Sequence, residues 1–193
     1  MIVLGVLVLV AVVSVVTYTN LAHVSLQFGR RATPARPVRR PLVELALAGP
    51  EVQDALGLSS SVVLKSSTRL CDIPGSIECF QDEYGSAAGD QVALLLARFT
   101  SLGDAVDFGL RMKYEVDGDQ QAAEILVRLT PESFRWLDRT EGRSGSVYYG
   151  GANAGSIGMY VTWQPVNALS DDEAALKFSS LLDAQFAKIE SVP

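Results

Sequence analysis

The first twenty-two residues, Met1–Ala22, contain no charged side chain, and their centre reads LGVLVLVAVVSVV. No other feature constrains the chain so strongly, because a run this long and apolar needs hydrocarbon around it. As a helix rising ~1.5 Å per residue it would reach about 33 Å, enough for a hydrocarbon core of about 30 Å. A cleaved secretory leader normally carries a basic start and a small-residue cleavage site. Nothing basic precedes this run, and His23 and Val24 follow it. The sequence therefore predicts one N-terminal transmembrane helix over residues 1–22 that is kept as an anchor in the lipid bilayer.

Residues 23–41 read as a neck. The stretch QFGRRATPARPVRRP carries five arginines, three prolines and no acid. Proline restricts the backbone and arginine stays solvated, so an extended linker is expected. Residues 42–193 hold the remaining eleven basic side chains against twenty-two acidic ones, a formal charge of −11. An acidic head suits phosphate backbones poorly, which argues against a nucleic-acid partner. Its length of about 150 residues fits one domain with its own core.

Within the head, Val43–Leu47 is a short apolar run that ends at Gly49-Pro50, and Val62–Lys65 reads as a strand. Val92–Phe99 fits a central strand or part of a helix. Ser101 with Asp104 marks a helix start running towards Met112, and Ser170 with Glu173 marks another. After Ser170, the residues Phe178, Leu181, Leu182, Phe186 and Ile189 share one helical face. Glu124–Leu129 alternates as a strand does, and Thr130-Pro131 resembles an N-cap opening a short helix through Phe134 and Leu137. Val147–Tyr149 and Ile157–Trp163 read as strands flanking a loop, GGANAG. The fold class expected is α+β, with helices packed on one largely antiparallel sheet.

Chemistry is conspicuously sparse. His23 is the sole histidine and lies outside the head, which removes ordinary His-assisted nucleophiles and multi-histidine metal sites. Asp117-Gly118-Asp119 lacks EF-hand spacing and reads as a hairpin turn. GGANAG lacks both GxGxxG and the Walker lysine, and Gly155-Ser156-Ile157-Gly158 is no nucleophile elbow. Glu78, Asp82 and Glu83 read as a solvated acidic loop. No catalytic residue, metal ligand or cofactor is assigned, and a non-enzyme is expected. Tyr148, Tyr149, Tyr160 and Trp163 have two readings, sheet core or an aromatic contact patch for a partner.

LCDIPGSIEC, Leu70–Cys79, holds both cysteines of the chain. Their spacing matches neither zinc pairs nor CxxC. With Pro74-Gly75 between them, Cys71 and Cys79 can approach disulfide distance, the alternative being two reduced thiols. The expectation taken is a disulfide, worth about 2–3 kcal/mol before strain. It favours an oxidising compartment, whereas five arginines just after the apolar run favour a cytoplasmic neck. The reading adopted is an extracytoplasmic head on a single-pass membrane protein.

The segments VALLLARFTSLGDAVDFG, the cysteine loop and AALKFSSLLDAQFAKI resemble the soluble α+β heads of single-span actinobacterial envelope proteins, including lipoprotein and sensor-type modules. In layout the chain also resembles the small accessory subunits of Gram-positive respiratory supercomplexes. The lipidated cysteine of the lipoproteins has no counterpart in this chain. The resemblance implies a noncatalytic accessory or structural subunit whose partners are integral membrane proteins. A second class is an extracytoplasmic module with a pocket between sheet and helices for a small amphiphile or glycan.

Overall fold

The computed structural model describes residues 40–69, 72–118, 123–129, 134–142 and 145–190. Two short helices open the described chain, α1 (Leu42–Leu45) and α2 (Gly49–Leu56). Strands β1 (Val62–Thr68), β2 (Ser76–Ser86) and β3 (Gln91–Phe99) follow as a meander. Helix α3 (Leu102–Asp117) then leads to a second meander of β4 (Ala123–Leu129), β5 (Phe134–Gly142), β6 (Gly145–Ala154) and β7 (Ile157–Gln164). Helix α4 (Asp171–Glu190) closes the fold. Because β7 pairs with β3, the two meanders fuse into one antiparallel sheet of order β1-β2-β3-β7-β6-β5-β4. The α+β class is as expected.

Local chemistry sets the helix boundaries. Ser101 Oγ accepts the Asp104 N–H at 3.1 Å and Ser170 Oγ accepts the Glu173 N–H at 3.2 Å, each satisfying a donor that the first helical turn leaves free. At the start of α2 the Glu51 carboxylate accepts the Ala48 N–H. Gly57 ends that helix in the left-handed conformation, with φ 59°.

Helices cover both faces of the sheet, so its central strands bury alternate residues in opposite directions. On one face α1, α2 and α4 close over Leu94 and Leu96 of β3, Met159, Val161 and Trp163 of β7, and Tyr148 of β6. Phe178, Leu181, Leu182 and Ile189 of α4 meet them, with Phe186 partly buried beside them. Gln185, on the same helix, is fully buried. It accepts the Leu47 N–H at 3.0 Å and donates to the Leu45 carbonyl at 2.6 Å, tying α1 to α4. On the opposite face α3 lies over Ala97, Phe99 and Trp136, with Phe108 and Val116 pointing down.

The structure corrects several expectations. Phe134–Gly142 is a strand, not the end of a helix: Arg135 reaches Asp183 at 2.7 Å and Arg139 reaches Asp171 on one face, while Trp136 and Asp138 are buried. GGANA is part of β6; only Gly155-Ser156 turn the chain into β7. Gly150 is there because α4 approaches closely, since a Cβ on it would lie 2.2 Å from Phe178 Cε1. Glu78, Asp82 and Glu83 lie on β2, not in a loop, and Asp82 is buried. Asp117 ends α3, and Asp119 lies outside the described residues.

Two further expectations are not met among the described residues. No helix there is long and apolar enough to cross a membrane; the expected span, Met1–Ala22, and most of the neck lie outside them. Nor is a disulfide between two described cysteines present: Cys79, on β2, is not a free thiol, and Cys71 lies outside the described residues.

Candidate functional site

The two sheet faces are covered unequally. Helix α3 runs from the end of β3 across β7 and β6 towards β5, and leaves the β1 side of its face open. Residues that face this side lie in rows across the strands. One row reads Ser66, Glu83, Ala93, Thr162, Tyr149 and Asp138 from β1 to β5. A second, nearer the β2–β3 turn, holds Gly85, Gln91 and Gln164. The β1 ends of these rows, with Val147, form the floor of an open groove of about 570 Å³, with Lys65 at its side. Its size lies within the usual range of small-molecule sites, about 300–1,000 Å³.

The groove's acids are held in place. Glu83 accepts Ser66 Oγ at 2.8 Å and Gln81 Nε2 at 3.2 Å. Asp90 accepts Ser86 Oγ at 2.6 Å and the Val166 N–H at 3.1 Å, which pins the β2–β3 turn to the segment after β7. These are charge-assisted bonds to donors fixed by the sheet, so the groove's rim is preorganised. Its floor is small and mixed: Ala93 and Val147 supply apolar surface, Gln91 and Gln164 two amides, Thr162 a hydroxyl.

Under α3 the same rows enter a buried polar cluster. The Asp138 side chain is fully buried, with Lys113 Nζ 3.2 Å from its Oδ2 and 3.0 Å from Asp117 Oδ1. Burial pushes the Asp138 carboxyl above its ordinary range, outweighing the opposite pull of Lys113. Lys113 Nζ also sits 5.9 Å from the Trp136 ring centroid. Tyr160 has its hydroxyl pKa raised, first by burial, so it stays protonated at neutral pH. Tyr84 behaves alike: burial, then the neighbouring Asp82, hold its phenol protonated, with Asp82 Oδ2 at 2.8 Å.

The aromatic residues singled out by sequence divide between the two faces. Tyr148 and Trp163 pack together at 5.6 Å between ring centroids, and Trp163 also meets Phe178; both are essentially unexposed. Tyr149 and Tyr160 lie on the other face, half-buried beneath α3. The four therefore form no common surface patch. Among the described residues no group of three or more His, Cys, Asp or Glu side chains is placed to hold a metal ion. The groove residues were missed by sequence reasoning, since Lys65, Gln91, Thr162 and Gln164 match no motif. The one available signal was polar residues alternating within otherwise apolar strands.

No protein-family model matches the chain, and no curated protein matches it. Solved structures do. The extracellular domain of PknH from Mycobacterium tuberculosis is similar over 83% of this chain and 99% of that one, with a TM-score of 0.57 and 13% identity. A GTP binding regulator from Thermotoga maritima covers 77% of this chain and 91% of its own, at a TM-score of 0.38 and 9% identity, too slight to bear on the fold. No comparison connects the chain to a respiratory complex. The first likeness is one of fold: the described domain has a partial structural resemblance to an actinobacterial extracellular domain.

Proposed function

We propose that this domain is a noncatalytic extracytoplasmic binding module that takes a small polar molecule in the groove beside α3. The observation that carries the reading is the groove itself: an uncovered, preorganised, half-polar sheet face in a fold whose other face is sealed by three helices. The fold likeness to an extracellular domain supports the placement outside the cytoplasm. Compared with the pocket expected between sheet and helices, the site is shifted onto the sheet surface alone, which suits a polar ligand better than an amphiphile.

The test is ligand-observed NMR on the purified chain with a library of small polar metabolites, repeated on Ala93→Leu and Thr162→Leu. Both changes fill the groove floor without touching the sealed core. Binders lost in both variants, with melting temperature retained, support the reading. A library without binders, or binders indifferent to both changes, sinks it.

A second reading, a noncatalytic accessory subunit with integral membrane partners, draws on β1. Among the described residues this strand is a free edge of the sheet, and its neighbouring Val63 and Leu64 are 49% and 52% exposed. Exposed edges with apolar residues accept a strand from another chain. Intact-complex mass measurement in mild detergents tests it; a solitary chain under all conditions counts against it.

A further inference from the structure

The edge strand β1 contains an irregularity that serves the groove. Leu64 pairs with Tyr84 and Ser66 with Glu83, so Lys65 is an extra residue with no partner opposite, a β-bulge. Strict alternation would send Lys65 and Ser66 to opposite faces of the sheet. Instead both serve the same face: Lys65 follows the alternation from Val63, its stem lying across Gly85, and the bulge brings Ser66 round beside it to bond Glu83. Bulges re-aim side chains in this way and are enriched beside functional sites. Gly85 provides the slot, because a Cβ on it would stand 2.7 Å from Lys65 Cε and 3.4 Å from Cγ. The groove thus has at its edge a cation that forms no ion pair with any described residue.

We infer that Lys65, lying across Gly85 on the groove side of β1, is the specificity-determining hydrogen-bond donor for an uncharged, hydroxyl-rich ligand, a saccharide-like chain lying in the groove. The proposal rests on the binding-module reading. Charge selects the ligand class. Glu83 and Asp90 border the groove, and the head carries a formal −11, so an anion is repelled. A cation is drawn by that field but has to lie against the Lys65 ammonium. A neutral ligand meets neither penalty and uses what the site offers: ammonium and amide donors from Lys65, Gln91 and Gln164, and acceptors from Glu83 and Thr162. Hydroxyl groups donate and accept at once, which matches this mixed set, and the small apolar floor of Ala93 and Val147 suits the C–H face of a sugar ring.

The experiment is saturation-transfer NMR on the full chain with matched trisaccharides. Maltotriose and N-acetylated chitotriose are the neutral probes; trigalacturonate is the anionic one and the glucosamine trimer the cationic one. The expected result is binding of at least one neutral probe, with its charged counterpart weaker. Lys65→Met should weaken that binding about tenfold, the scale of one lost charged hydrogen bond. Gly85→Ala keeps the charge but displaces the stem, and should weaken it as well. Both variants should melt with the parent. Binding of neutral and charged probes alike, or binding indifferent to Lys65→Met and Gly85→Ala, overturns the role of Lys65 while leaving the groove as a site. Failure of every probe overturns the saccharide class; the polar-metabolite library then decides separately whether the groove binds at all.

Discussion

Replacing Gly150 by alanine tests how closely α4 is pressed onto the sheet. In an unconstrained strand this change should stabilise, since alanine restricts the unfolded chain and gains about 0.4–1 kcal/mol. At Gly150 the new Cβ would lie 2.2 Å from Phe178 Cε1, 3.0 Å from Phe178 Cζ and 3.0 Å from the Trp136 carbonyl oxygen. Phe178 is fully buried between Trp163 and the β6 backbone, so its ring has no solvent to swing into. Either α4 lifts or β6 shifts, at a cost of about 1–3 kcal/mol for overpacking. At about 2–4 °C per kcal/mol for a domain of this size, the melting temperature should fall by several degrees. Thermal unfolding followed by far-UV circular dichroism measures it. The double variant Gly150→Ala/Phe178→Leu should lose less than the sum of its single changes, because the shorter side chain vacates the clash. A stabilised Gly150→Ala, or strict additivity with Phe178→Leu, would refute the close-approach account of this glycine.

Gln185→Leu should cost about 2–4 kcal/mol by leaving the Leu47 N–H and Leu45 carbonyl unpaired in the core, with α1 amides exchanging faster by hydrogen-exchange mass spectrometry. Lys113→Met should cost about 3 kcal/mol or more, because it strands the buried Asp138 carboxylate; denaturant melts at neutral pH read this out. Asp138 has a raised folded-state pKa, so the folded protein binds its proton more tightly than the unfolded chain does. Its contribution is therefore full below the ordinary value of 3.8 and is lost as pH rises through the folded pKa. Asp138→Asn should flatten the fall in stability above about pH 4, and an unchanged slope would count against the assignment. Glu78→Ala removes the acceptor of the Leu42 N–H and the partner of Arg98, at about 1 kcal/mol, with faster exchange confined to the start of α1.

What the sequence revealed was local. Ser101/Asp104 and Ser170/Glu173 are helix starts because the serine hydroxyl and the backbone it caps lie within one turn. The face of α4 follows from a 3.6-residue period inside one segment. The misread segments depend on distant partners. Arg135, Asp138 and Arg139 look like surface charges until Asp183, Lys113 and Asp171 arrive from two helices on opposite faces of the sheet. The glycines of GGANA look like a loop because close approach by Phe178 and Trp136, which requires them, is invisible along the chain. Tyr148 and Trp163 had a core reading and a contact reading. Only the sheet order, which stacks them under Phe178, separates the two.

The groove exists because the two faces are covered to different extents, and this traces to chain topology. Three helices converge on one face because both ends of the described chain, α1–α2 and α4, return to it. The other face receives only α3, which must carry the chain from the central strand β3 to the far edge strand β4 and therefore crosses the β7–β6–β5 half alone. Among the described residues no connection remains to cover β1, β2 and the open ends of β3 and β7. A sheet face left bare in water selects polar or small residues, as Glu83, Ala93, Gln91, Thr162 and Gln164 illustrate, and such a face needs no further explanation by itself. Lys65 does. A residue inserted into an edge strand disrupts a hydrogen-bonded ladder, and a bulge with a lysine also hinders pairing of the edge beyond the apolar Val63 and Leu64. Yet the insertion sets Ser66 beside Lys65 on the bare face, and the lysine stem lies across a glycine that makes room for it. Edge protection accounts for the bulge and for the lysine; what it leaves over is Gly85, whose missing side chain lets the lysine stem lie along the groove instead of standing out into water.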